Sequence, residues 1–181
     1  RRQRQMCIRD RDHSEGREMT ANILPSASAE KHYPIAFNLI PQIDVFCDNL
    51  YTKEEMKMVN ETKKIMEDYE MRITATTIRV PVYRSHSESV NIELEKEVDL
   101  GAMREALAKF PGVTVQDDPS KQEYPMPLYT SEKDDVYVGR LRRDESCEKS
   151  YNIWVVGDQI RKGAALNTLQ IAETMIKNGW I

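Results

Sequence analysis

The stretch "TIRVPVYRSHSES", residues 77–89, places two side chains with chemical potential on one short run: Arg79 in its middle and His86 near its end. His86 lies among Ser85, Ser87 and Glu88, a polar setting in which an imidazole can titrate near neutral pH and exchange protons. A locally hydrogen-bonded turn histidine is the plainer reading. Arg79 shares strand parity with Ile73, Ala75 and Thr77, while Ile78, Val80 and Val82 form the other, more apolar row. On that pattern its guanidinium emerges opposite the apolar row, where it either meets solvent or grips a carboxylate through two parallel hydrogen bonds. Glu61 and Lys64 stand three apart on one helical face, with Met56, Val59, Ile65 and Met66 on a roughly opposite arc. They form either an ordinary surface pair or two charges aimed into a shared cleft.

Elements must hold these groups in place. A helix is expected over 52–68, with Thr52 as its cap and Glu55 at the capping-box position. Before it, "YPIAFNLIPQID" (33–44) reads as an extended, buried segment. Residues 73–83 read as a strand, and 89–98 as a half-buried strand with Val90, Ile92 and Leu94 on one face. Asp99 is placed to cap a helix whose Leu100, Met103, Leu107 and Phe110 recur at helical spacing until Pro111 and Gly112 stop it. A short strand at "GVTVQDD", a Pro- and Tyr-rich loop to about 133, strands at "DVYVGRLRR" and "YNIWVVGD", and a closing helix ending at Gly179 complete the order. The fold class is α+β, a mixed or mostly antiparallel sheet with helices laid on one face.

Bulk properties narrow the function classes. The 181 residues are 40% hydrophobic and 31% charged, which suits a globular chain with a sizeable core. No apolar run is long enough for a membrane span and no secretion signal is present, so no membrane partner and a cytoplasmic location are expected. Cys7, Cys47 and Cys147 are odd in number and unrelated in spacing, which argues against disulfides and against a metal site. The net charge of -4 hides five Arg against two Asp in the first dozen residues. That opening lacks an aromatic for base stacking, so no nucleic-acid partner is expected. Its run "MCIRDR" resembles translated adaptor sequence, and residues 1–15 are read as a non-native tail. Neither "GxGxxG" nor "GxxxxGK" occurs, so the residues alone offer no phosphate cradle.

The segments "IAFNLIPQIDVF", "EEMKMVNETKKIM", "IRVPVYRSHSES", "VGRLRRD" and "WVVGDQIRKGAALNTLQIAE" together resemble the C-terminal half of aspartate-semialdehyde dehydrogenase, in that family's order. The spacings "ETxK", "RxxxxxxHS" and "KGAAxNxxQ" are the most specific part of the likeness. It implies a glyceraldehyde-phosphate-dehydrogenase-like C-terminal domain over 16–160 for substrate binding and dimerisation. Residues 161–181 would then be a helix returning to a nucleotide-binding domain absent from this sequence. It implies NADP-dependent reductive dephosphorylation of β-aspartyl phosphate to the semialdehyde through a thioester, in the branch toward lysine, methionine and threonine. It also implies an assembly as homodimer or homotetramer.

By position, the resemblance makes Arg79 the holder of the substrate carboxylate and His86 the general acid/base. Glu61 becomes the partner of the substrate ammonium, Lys64 the phosphate binder, and Asn167 a group near the nicotinamide. The family's nucleophilic cysteine has an Asn-Cys-Ser/Thr context found around none of the three cysteines, so the fragment alone is expected to be inactive. Two alternatives stay open: a non-catalytic dimerisation or binding module of the same fold, and N-acetyl-glutamyl-phosphate reductase. The second acts on an acylated amine and has no use for a glutamate facing an ammonium, so Glu61 favours the aspartyl substrate.

Overall fold

The first helix, α1 (Lys53–Met66), begins where its capping box predicts. The Thr52 hydroxyl accepts from the Glu55 amide at 3.2 Å, and the Glu55 carboxylate accepts from the Thr52 amide at 2.8 Å. Together they satisfy two of the amides that a helix start leaves open. The computed structural model describes residue 25 and residues 29–35 and 38–181. The expected tail over 1–15 lies outside the described residues. The chain divides into two units, Arg1–Tyr83 and Arg84–Ile181.

In the first unit, Glu55 does more than cap. Its second carboxylate oxygen accepts from the Thr77 amide at 2.8 Å, so the helix start holds the segment that carries Arg79. Burial pushes the Glu55 carboxyl up, yet the hydrogen bonds from Thr52 and Thr77 outweigh it and hold it below the ordinary range. Its contribution to stability is therefore present above the ordinary glutamate range and is lost as pH falls through the lower folded value. Glu55→Ala is expected to cost about 2 kcal/mol and to speed hydrogen exchange at the Thr77 amide, with Glu55→Gln milder because it keeps one acceptor oxygen. An unchanged exchange rate at Thr77 would count against this tie.

The strand expected over 73–83 is not formed as a ladder. Arg79 makes a single antiparallel bridge with Ile40, its amide donating to the Ile40 carbonyl at 2.8 Å and its carbonyl accepting from the Ile40 amide at 3.1 Å. Alternation survives, but with the opposite sense. Ile73, Ala75, Thr77 and Arg79 are the half-buried row, while Ile78, Val80 and Val82 are exposed. The Glu55–Thr77 bond and the Ile40 pairing set which row faces inward, and neither is visible in the local apolar pattern. In the preceding segment, expected to be buried, Ile35 and Ile40 are buried but Tyr33 and Leu39 are exposed, so it is covered only in part. In α1 the inward arc is Glu55, Met56, Val59 and Lys63, whereas Ile65 and Met66, expected inside, are exposed.

The second unit is a four-stranded mixed sheet in the order β1-β4-β3-β2, formed by β1 (His86–Glu93), β2 (Val113–Val115), β3 (Val136–Arg143) and β4 (Ser150–Gly157). β1 and β3 run antiparallel to the central β4, and β2 runs parallel to β3. The architecture is α+β. Helix α2 (Leu100–Lys109) starts at Asp99, whose side chain accepts from the Ala102 amide at 3.0 Å. It brings Met103 onto Val138, Leu141 and Tyr151, with Ile92, Ile153 and Val155 around them. Cross-strand partners share a face, so the pairs Ile92–Tyr151, Val90–Ile153 and Val138–Val155 identify this as the core side of the sheet.

The opposite face carries Trp154, Gly139 and Asn152 and is partly covered by the loop after β2. That loop is not featureless: a 3₁₀ turn at Pro119–Lys121 and a one-turn helix α3 (Pro127–Thr130) lie within it. Trp154 anchors the loop by donating its indole N–H to the Pro125 carbonyl at 2.9 Å. A bulge between Gly139 and Arg142, with Arg140 left-handed at φ 54°, bends β3. After β4 the chain makes a π-helical turn (Arg161–Ala165) and continues as α4 (Leu166–Lys177), closed by Gly179 at φ 66°.

Candidate functional site

Each unit holds its own share of the residues singled out from the sequence. The first holds Glu61, Lys64 and Arg79. Glu61 and Lys64 sit one turn apart on α1, both exposed, and no ion pair joins them among the described residues. Arg79 is half-buried in the covered row and fixed through both backbone groups to Ile40. The root of the side chain is thereby fixed, and its half-buried guanidinium is of the kind that grips a planar anion through paired N–H donors.

The second unit holds His86 and Asn167. His86 is the first residue of β1 and pairs with Gly157, the last of β4. The strand starts three residues earlier than the alternation from Ser89 predicts, because His86, Ser87 and Glu88 are carried by backbone pairing with Gly157, Val156 and Val155 rather than by apolar side chains. Asn167 is the second residue of α4 and half-buried.

The backbone just before His86 is unusual. Ser85 is buried and left-handed at φ 72°, a conformation that costs a serine roughly 1 kcal/mol or more. The turn is held by the Thr130 hydroxyl, which donates to the Ser85 hydroxyl at 3.2 Å, and by the Ser131 hydroxyl at 3.2 Å. Beside it the Arg84 guanidinium lies 2.6 Å from the carboxylate of Asp158 and 3.0 Å from that of Glu132.

Asp158 is fully buried and serves four groups. One oxygen lies in an ion pair 2.6 Å from the Arg84 Nε and accepts a hydrogen bond from the Glu132 amide at 2.7 Å; the other accepts from the amides of Ile160 at 2.8 Å and Arg161 at 3.1 Å. Burial pushes this carboxyl up, and the three amides with the Arg84 charge more than offset it, so it stays below the ordinary range. Sequence reasoning missed Asp158. Its signal was an aspartate between a strand and a turn, able to accept from amides two and three residues on, as in an Asx turn.

A groove of about 330 Å³ opens on the sheet face away from the core, lined among others by Ser89, Tyr124, Met126, Arg142 and Trp154. None of the residues singled out from the sequence lines it. Among the described residues no His/Cys/Asp/Glu cluster could hold a metal ion, and no helix is long and apolar enough to cross a membrane. Cys47 is half-buried and Cys147 exposed, both as free thiols.

A family profile described as semialdehyde dehydrogenase, dimerisation domain, matches residues 4–162. The chain belongs to the semialdehyde dehydrogenase family. It is 49% identical over 167 residues to the aspartate-semialdehyde dehydrogenase of Aquifex aeolicus, covering 92% of this chain and 47% of that protein. It is 50% identical over 161 residues to the Bacillus subtilis one, covering 88% and 46%. The structure of aspartate semialdehyde dehydrogenase II from Vibrio cholerae complexed with ASA superposes with a TM-score of 0.82 at 37% identity, covering 96% of this chain and 49% of that one. The chain thus spans about half the length of the semialdehyde dehydrogenases it matches.

Proposed function

We propose that the chain is the substrate-binding and subunit-association half of an aspartate-semialdehyde dehydrogenase that reduces β-aspartyl phosphate to the semialdehyde with release of phosphate. The observation carrying this reading is the near 50% identity to enzymes of that name over roughly nine-tenths of the chain. The residue chemistry agrees with it. The substrate is a zwitterionic acyl phosphate, and the first unit offers a half-buried guanidinium, an exposed carboxylate and an exposed ammonium. Arg79 takes the α-carboxylate, Glu61 the ammonium and Lys64 the phosphate.

His86 takes the proton of the attacking thiol and later manages the proton load of the hemithioacetal, help worth about 10² to 10⁴ in rate. The thiol is not assigned to Cys47 or Cys147 and comes from the protein's other half. The NADP nicotinamide, when bound, supplies the hydride. On this side Asn167 fits it: no hydrogen bond engages its half-buried carboxamide among the described residues, and a carboxamide can both donate to and accept from the carboxamide of a nicotinamide. The 161–181 segment is then the helix that returns to the nucleotide-binding domain. The enzyme works in the cytoplasm, in the branch toward lysine, methionine and threonine. The family's description as a dimerisation domain supports a homodimer or a homotetramer built on it.

The test joins this chain to the preceding half of the Bacillus subtilis relative and measures phosphate-dependent NADP reduction by aspartate semialdehyde. His86→Ala and Arg79→Ala are expected to lower kcat/KM by a factor of about 10² or more. Equal turnover in the two variants and the parent fusion would return both residues to surface and turn roles. Preference for N-acetyl-glutamyl phosphate in the reverse direction would move the chain to the sister reductase.

A further inference from the structure

We propose that Asp158 is the positioning residue for His86. The inference rests on the acid/base role proposed above and extends it to a carboxylate that touches no substrate. Asp158 follows Gly157, the register partner of His86, so the two residues lie at the same end of neighbouring strands. One of its oxygens holds the Arg84 guanidinium at 2.6 Å, two residues before His86. That same oxygen accepts from the Glu132 amide at 2.7 Å, fixing the loop whose Thr130 and Ser131 clasp Ser85. The other oxygen accepts from Ile160 and Arg161, the entry to the π-helical turn that leads to Asn167.

A single buried carboxylate therefore ties three chain segments around the imidazole's backbone. The left-handed turn at Ser85 is an unfavoured conformation for a serine and needs such outside support to persist. Loss of the carboxylate leaves Arg84 to Glu132 alone, relaxes Ser85 and lets the first residue of β1 drift. Displacement of a reacting group by about 1 Å from its productive place costs on the order of 100-fold in rate, while substrate contacts in the first unit are left as they were.

Two measurements test this. In the fusion enzyme, Asp158→Asn and Arg84→Lys should each lower kcat roughly 10- to 100-fold with KM for the aldehyde changed less than about threefold. Leu141→Ala, which opens the core on the far side of the unit, serves as the stability control and should keep its kcat despite a lower Tm. In the 181-residue chain, the His86 imidazole resonance, identified by its loss in His86→Ala, should move in both Asp158→Asn and Arg84→Lys and stay put in Leu141→Ala. A His86 resonance unmoved by Asp158→Asn overturns the proposal, as does a kcat no lower than that of Leu141→Ala. A resonance that moves while the parent fusion shows no turnover upholds the positioning and overturns the dehydrogenase reading instead.

Discussion

Tyr151→Ala is expected to cost the second unit about 4 to 5 kcal/mol, a large part of the 5–15 kcal/mol that holds a typical domain together. Two losses add. The ring is fully buried at the centre of the cluster formed with Met103, Val138 and Leu141, so its removal leaves a cavity that α2 and the sheet can only partly close. The hydroxyl also serves the backbone twice, donating to the Val98 carbonyl and accepting from the Val98 amide, each at 2.7 Å. Those two contacts pin the turn between β1 and α2, and both backbone groups are left unpaired without them. Tyr151→Phe separates the terms, since it keeps the ring and should cost only about 1 to 2 kcal/mol. Guanidinium unfolding of the three proteins measures both; an alanine variant with a midpoint equal to that of the phenylalanine one would show that the ring contributes little.

Gly139→Ala is expected to destabilise by about 3 kcal/mol, through a clash rather than a void. A methyl group here would lie 2.2 Å from the Gln116 carbonyl oxygen and 2.7 Å from the Pro125 ring. Neither neighbour is the free end of a flexible side chain. The Gln116 backbone is held to β3 by its amide bond to the Val138 carbonyl at 2.8 Å, and Pro125 by the Trp154 indole. Relief requires lifting the loop from the sheet, which breaks the indole bond and exposes Trp154. A melting temperature lower by roughly 10 °C or more, with red-shifted tryptophan emission, is the expected result. Gly157→Ala is the matched control, because its methyl would meet nothing nearer than 3.7 Å. If the two variants melt together, the close approach at Gly139 is not maintained in solution.

Much of this fold was legible because its signals are local. Thr52 with Glu55, and Asp99 before Leu100, mark helix starts through contacts that span three residues. The core row of β1, Val90 and Ile92, followed from simple alternation. The missed features depend on distant partners. The inward row of 73–80 is chosen by Glu55 and Ile40, each far along the chain, so the more apolar row of Ile78, Val80 and Val82 was wrongly expected to be covered. The first three residues of β1 are polar and carry no pattern; their partners in β4 make them a strand.

The candidate site divides in the same way. Arg79, Glu61, Lys64, His86 and Asn167 were picked out by type, spacing and resemblance. Asp158 was not, since an aspartate after a strand reads as a turn residue until Arg84 and Glu132 are seen to converge on it.

The strand order also constrains how the second unit comes into being. β1 is made before the other three strands, yet among the described residues its only partner in the sheet is β4, with His86 meeting Gly157 and Glu93 meeting Ser150. A nascent chain must therefore carry an unpaired edge through the synthesis of α2, β2 and β3 before the sheet can close, and the closing loop is long. During that interval β1 presents open backbone to any neighbour. Its polar opening, His86 to Ser89, offers a foreign strand little apolar surface, so the residues that make β1 hard to recognise in sequence also protect it while it waits.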